Sequence, residues 1–320
     1  MFTTSFEQEL AVYIRARYSV LYLVSAEERR VTRMLTDIAE KQGKRLVVWT
    51  ATTGFVEKGK VVQATAAAIA DAFGQVVEEA KAGGKNLYLF KDLHRWLKAP
   101  DNVNYRLVRD VAETLKTSKC TLVILAPVLE YPKELEKVVT VLDVPYPSAE
   151  ELKVVMEGVL RPLIATRKEK EEKGSVKAED IKVPENGDVD TILRAAAGLT
   201  EDEFENIVAK SLAVTRSVDP AFVVKEKEQT IRKAGVVDFY QNVEGLESVG
   251  GLENLKDWIR RQAITFSKKA QDYGLRPPKG VFLAGVTGAG KSLSVKALAS
   301  HLKVPLISLD PAKVLGSFVG

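Results

Sequence analysis

Residues Gly285-Val286-Thr287-Gly288-Ala289-Gly290-Lys291-Ser292 read G-x-x-x-x-G-K-S, a spacing that can cradle a polyphosphate. Glycine carries no Cβ, so the backbone can curl until successive amide hydrogens point at phosphate oxygens. A helix opening at the end of such a loop adds the partial positive charge of its N-terminus. In that geometry Lys291 reaches the β- and γ-phosphates, Ser292 places its hydroxyl on Mg²⁺, and Leu293 continues the first turn. The ligand this chemistry calls for is a nucleoside triphosphate with Mg²⁺. A glycine-rich turn capped by serine is the bland alternative, and the flanks weigh against it. Residues 281–284 form an apolar run that predicts a strand entering the loop. After the loop, Val295, Leu298, Ala299 and Leu302 recur at helical spacing.

The elements that must position such a site recur along the chain. Apolar, β-branched runs at 18–24, 44–49, 86–90, 121–126 and 138–142 predict strands, separated by helical patterns near 26–42, 63–82 and 103–117. Near-continuous apolar strands alternating with helices indicate an α/β fold, a doubly wound parallel sheet covered on both faces. In that architecture the first strand should run into a phosphate loop. Here it runs into Ser25-Ala26-Glu27-Glu28, with no glycine and two carboxylates. Those carboxylates suit a helix start and repel a triphosphate, so Glu27 and Glu28 take over the structural job of phosphate. The third strand ends in Asp92, a single acid beside His94, which reads as a loop acid and not as a catalytic group. The domain at 1–146 is therefore expected to be a degenerate ATPase-like domain that binds no nucleotide.

From 147 to 216 the pattern is helical. Ser148 with Glu151 three positions on spells a capping box, and Gly198 followed by Thr200 spells a helix stop and a new cap. A small helical module after an α/β core is the layout of a lid. Residues 217–245 mix charges with weak periodicity and read as a linker, and 246–320 read as the N-terminal part of a second α/β domain.

The bulk composition excludes several classes. The chain has 320 residues, 46% of them hydrophobic, and 47 basic against 43 acidic side chains give a net charge of +4. That balance makes no electrostatic case for nucleic acid, and no apolar run approaches the roughly 18–20 residues of a membrane span. One cysteine, Cys120, opens an apolar strand and reads as a buried thiol. With two histidines there is no zinc constellation. A cytoplasmic protein is expected, or one of the plastid stroma if plastid-encoded.

The last seventy or so residues resemble the AAA family of P-loop ATPases in more than the loop. Val249-Gly250-Gly251-Leu252 is similar to the segment that wraps adenine in that family, with the Val249–Gly250 backbone in that role. Arg276-Pro277-Pro278-Lys279-Gly280 leads into the expected strand as it does there, and 304–310 fits the second strand. Phe318-Val319-Gly320 looks like the aromatic–hydrophobic–glycine element that lines the pore of hexameric members. The whole layout resembles a narrower group, the AAA-domain proteins of hypothetical chloroplast open reading frame forty-six, known from cyanobacteria and plastids. The loop departs from the more usual Gly-Pro-Pro-Gly-Thr-Gly, but its glycines, Lys291 and Ser292 stand in place.

The resemblance implies a degenerate RecA-like sheet in the first domain, ATP and Mg²⁺ as cofactors, a homo-oligomeric ring and a protein substrate. The implied activity is an ATPase that remodels or regulates its partner. The acidic pair, polar sensor and arginine of family catalysis would lie beyond residue 320. No catalytic residue is therefore expected within 1–320, and the chain is read as truncated, without its hydrolytic half. A non-hydrolysing, nucleotide-sensing scaffold is the alternative from a different class. A small-molecule or nucleic-acid kinase fits the flanks of the loop less well.

Overall fold

The computed structural model describes residues 6–57, 59–63, 68–97, 104–172, 184, 186–233, 237–240, 245–265, 270, 272–276, 278–302 and 306–309. The chain divides into two compact units, Met1–Val218 and Asp219–Gly320. In the first, α1 (Phe6–Arg15) precedes β1 (Val20–Val24), α2 (Glu28–Lys41), β2 (Arg45–Thr50), β3 (Gly54–Glu57) and β4 (Lys60–Gln63). Then follow α3 (Ile69–Lys81), β5 (Asn86–Lys91), the short α4 (His94–Leu97), α5 (Asn104–Lys116), β6 (Thr121–Ala126) and β7 (Thr140–Asp143).

These strands form one seven-stranded sheet in the order β4-β3-β2-β5-β6-β1-β7. The five strands expected from the sequence are its parallel part, with Tyr22 of β1 opposite Ile124 of β6 and Val141 of β7. The hairpin β3–β4 extends β2 in antiparallel fashion at one edge. Because side chains alternate along a strand, Leu21 and Leu23 pack under α1 and α2. Val20 and Tyr22 pack on the opposite face, under α3 and α5. Trp49, Phe90 and Phe73 stack through that second core, with ring centroids 4.9 and 5.2 Å apart. Every residue of β6 is buried, which is why its run reads as continuously apolar. Cys120 is buried there, its Sγ donating to the Gly84 carbonyl.

The end of β1 is where the sheet departs from a nucleotide-binding domain. Glu27 and Arg30 are buried, and the Arg30 guanidinium lies 2.8 Å from Glu27 Oε2. The same guanidinium donates to the Pro145 carbonyl and, through two nitrogens, to both oxygens of Glu151. The other oxygen of Glu27 accepts the backbone N–H of Glu201 at 2.8 Å. Glu27 thus fills the place of a phosphate at a helix start, as its charge suggested. The helix it serves, however, is α8 (Glu201–Thr215) and not its own α2, to which it makes no side-chain cap. Glu28 is taken by Lys91 from the end of β5, 2.8 Å away. Asp92 adopts a left-handed φ of 56°, and its carboxylate stays 3.9 Å from the buried His94, beyond hydrogen-bond reach. No group of three or more potential metal ligands occurs among the described residues.

Helices α6 (Ala149–Glu172), α7 (Asn186–Ala196) and α8 form the helical module. The expected capping box is present, Ser148 exchanging hydrogen bonds with Glu151, and the expected cap at Thr200 is itself a capping box, closed with Glu203. Gly198 has φ 85°, the left-handed stop that only glycine adopts without strain. Glu151 therefore closes its own helix cap while gripping Arg30 from α2. Arg29 adds exposed pairs to Asp202 and Glu205, and Arg33 reaches the buried Glu201.

The second unit holds α9 (Pro220–Lys233), β8 (Val237–Tyr240), a 3-10 turn at Leu246–Ser248, α10 (Glu253–Thr265), α11 (Lys291–Leu302) and β9 (Leu306–Leu309). Two expectations are corrected. The stretch 217–245 carries a helix and a strand, because the charged face of α9 masks its helical spacing in the sequence. Residues 281–284 form no strand: no described strand lies beside them to complete a ladder, and Phe282 is 92% exposed. β9 falls inside the expected strand at 304–310 but pairs antiparallel with β8, Phe239 opposite Ile307. No described helix is long and apolar enough to cross a membrane.

Removing Glu27 leaves a buried guanidinium short of one carboxylate and a helix start short of its acceptor. Glu27→Ala is expected to destabilise the chain by about 3–5 kcal/mol in urea denaturation. Its coupling to Arg30→Met in a double-mutant cycle should exceed that of an exposed pair such as Arg29 with Asp202. Burial pushes the Glu151 carboxyl up, but the Ser148 N–H and Arg30 outweigh it and hold it below the usual glutamate range. The stability it contributes is full above the ordinary value of about 4.3 and lost as pH falls through the lowered one. Glu151→Gln should accordingly be less stable than the parent above about pH 4.3, and acid denaturation should show that gap closing as pH falls through the lowered value.

Candidate functional site

The phosphate loop is an exposed turn on the front of α11. Gly288 and Gly290 have φ of 84° and 78°, left-handed values that explain glycine at these two positions. The Ala289 N–H closes the turn on the Val286 carbonyl at 3.2 Å. Ser294, buried, donates both its N–H and its hydroxyl to the Gly290 carbonyl and so locks the loop to the helix. Nothing in the sequence signals that second role for a serine, since it depends on the direction of one carbonyl.

With Ser294 making the first backbone bond of the helix, the N–H groups of Lys291, Ser292 and Leu293 find no backbone acceptor among the described residues. These are the donors a helix start offers to an anion. Lys291 folds back over the loop, its Nζ donating to the carbonyls of Gly285 and Val286, each at 2.8 Å. An added Cβ on Gly285 would meet Ala289 and the Lys291 stem only at ordinary contact distance. The Ser292 hydroxyl is exposed and makes no hydrogen bond among the described residues. The loop therefore presents one ammonium held by neutral acceptors, three unused amides and a hydroxyl, a donor set that fits a triphosphate with Mg²⁺.

Val249 reaches the same neighbourhood by packing. It is buried with Leu246, Ile259 and Ala297, so the turn at Leu246–Ser248 rests on α11. Leu293 packs against this cluster as well, which leaves its backbone and not its side chain for a ligand. Gly250 is exposed, with open space where a Cβ would stand, and Gly251 and Leu252 continue in the left-handed region. The structure thus gathers Val249, Gly250 and residues 285–293 around one helix. Phe318, Val319 and Gly320 lie outside the described residues.

Two models of one family match consecutive stretches of the chain. The N-terminal domain of SpoVK-like AAA ATPases matches residues 6–144, and the second domain of the same family matches 150–234. The uncharacterized AAA domain-containing protein ycf46 of Guillardia theta is 28% identical over 99% of this chain and 59% of its own length. The protein of that name from Pyropia yezoensis is 27% identical over 99% of this chain and 61% of its own. The ATP-dependent zinc metalloprotease FtsH of Aquifex aeolicus is 40% identical over 23% of this chain and 12% of its own length. Among solved structures, the RuvB Holliday junction branch migration motor of Thermotoga maritima covers 93% of this chain and 80% of its own. Its identity is 14% and its TM-score 0.39, a likeness that carries no weight for function. The chain spans about 60% of the length of the ycf46 relatives it matches. Because the two family models together match more than half of its residues, the chain belongs to the SpoVK-like AAA ATPases.

Proposed function

We propose that the chain binds ATP with Mg²⁺ through the loop at 285–292, and that in the whole protein this drives remodelling or regulation of a protein partner. The observation that carries the reading is the pairing of three unused amides at 291–293 with an ammonium held only by the carbonyls of Gly285 and Val286. Phosphate oxygens replace those neutral acceptors with charged ones, so each contact of the ammonium becomes an ion pair. Lys291 holds the β- and γ-phosphates, Ser292 holds Mg²⁺, and the Val249–Gly250 backbone flanks the base. Bound ATP supplies a phosphoanhydride whose binding and loss distinguish two states of the unit.

The first domain acts as a body with a sealed site. Its Glu27 and Glu28 are each neutralised by a cation of the same domain, so a triphosphate finds no free cation in Arg30 or Lys91. A ring of copies, each contributing one working loop, is the assembly this reading favours. The alternative, a scaffold that senses nucleotide without hydrolysing it, shares the binding step and differs in phosphate release.

Calorimetry with ATP and Mg²⁺ tests the binding step. Lys291→Ala is expected to weaken affinity by roughly one to two orders of magnitude, the loss of charge-assisted hydrogen bonds. Equal affinity in the variant would refute the site. Ser292→Ala should abolish the Mg²⁺ dependence of binding while sparing magnesium-free nucleotide affinity. Light scattering should show nucleotide-dependent growth in size that Lys291→Ala lacks, and phosphate release separates the motor from the sensor.

A further inference from the structure

A cavity of about 730 Å³ opens at the far end of the first unit's sheet from Glu27, where the strands begin. Six cations line it: Arg15, Arg17, Lys41, Lys44, Lys85 and Lys119. They are scattered over a hundred residues of sequence, and only the fold brings them together. Glu7 is the one acid in the lining, and it is taken by Lys41 at 3.0 Å. Arg15, Arg17, Lys85 and Lys119 have no carboxylate within ion-pair distance among the described residues. Lys44 is half-buried and donates to the Lys119 carbonyl.

A structural account covers part of this. The C-termini of α1 and α2 point into the cavity, and their partial negative charge explains Arg15 and Lys41. It does not explain Lys85 and Lys119, which sit in turns before β5 and β6. Nor does it explain Arg17, which holds a left-handed φ of 61° where the end of α1 favours glycine. A non-glycine residue in that region is strained and persists where something other than backbone preference retains it.

We propose that this cleft binds a small, multiply charged phosphate compound. The volume lies in the range of small-ligand sites. Its lining contains no aromatic ring on which a base could stack, which disfavours a single-stranded nucleic acid. Burial, with the Arg17 charge as a smaller contributor, pushes the Lys44 amine down, a penalty that a bound anion offsets. The residues are distinct from those of the phosphate loop, so the two sites can be tested apart.

The test is calorimetry with inorganic tripolyphosphate on the chain carrying Lys291→Ala, which removes the loop's ammonium. Saturable binding is expected, weakened about tenfold by Arg17→Gly while the melting temperature stays level or rises, since glycine relieves the backbone. A purely structural Arg17 would instead lower the melting temperature and leave binding intact. The double variant Lys85→Ala/Lys119→Ala, at two exposed positions, should weaken binding at least as much and stands in should Arg17→Gly misfold. The proposal is overturned by non-saturable binding or by unchanged affinity in the double variant. Tighter binding of poly-glutamate or of oligo-dT than of tripolyphosphate also overturns it, in favour of a macromolecular partner.

Discussion

A carboxylate wedged between a guanidinium and a helix start organises the first unit. Glu27 gives one oxygen to Arg30 and the other to the N–H of Glu201, both at 2.8 Å. Arg30 in turn spans Glu27, Glu151 and the Pro145 carbonyl, so a single buried charge network ties α2 to the start of α6 and the start of α8. Such a network is stable only when complete, because each buried charge relies on the others for the solvation that water would give. The helical module is thus held on the sheet by the site where a nucleotide would otherwise intervene. The exposed pairs of Arg29 join the same elements but contribute little by themselves.

The second unit meets the same requirement in the opposite way. At the start of α11 no carboxylate fills the anion position, and the amides of 291–293 are left for a ligand. Lys291 rests on the carbonyls of Gly285 and Val286. One chain therefore carries a permanently satisfied helix start and an open one. The difference lies in what stands before each helix: a buried carboxylate in the first unit, a glycine-rich turn in the second.

Much of this was legible in the residues. The central strands β1, β5 and β6 announce themselves because strands buried on both faces must be apolar almost throughout. The caps at Ser148 and Thr200 and the stop at Gly198 are local chemistry, decided within three or four residues. The hairpin β3–β4 escaped notice because an edge pair needs no apolar run: Val61 and Val62 are more than half exposed. The strand expected at 281–284 fails for the converse reason. Apolar composition permits a strand, but only a neighbouring ladder makes one, and β9 finds its partner in β8 instead.

What the sequence determined by itself is the chemistry at single points. Those are glycines at 288 and 290 that free a backbone, an ammonium at 291, and carboxylates at 27 and 28 at the head of a helix. These follow from residue type and short-range spacing, which act over a few bonds. The tertiary structure decided which distant group each of them meets. Glu27 finds the amide of Glu201 across 174 positions of chain, Ser294 finds one carbonyl, and six cations converge on a cleft beneath the sheet. Charges act through space, and only the packing of the core sets which of them come within reach.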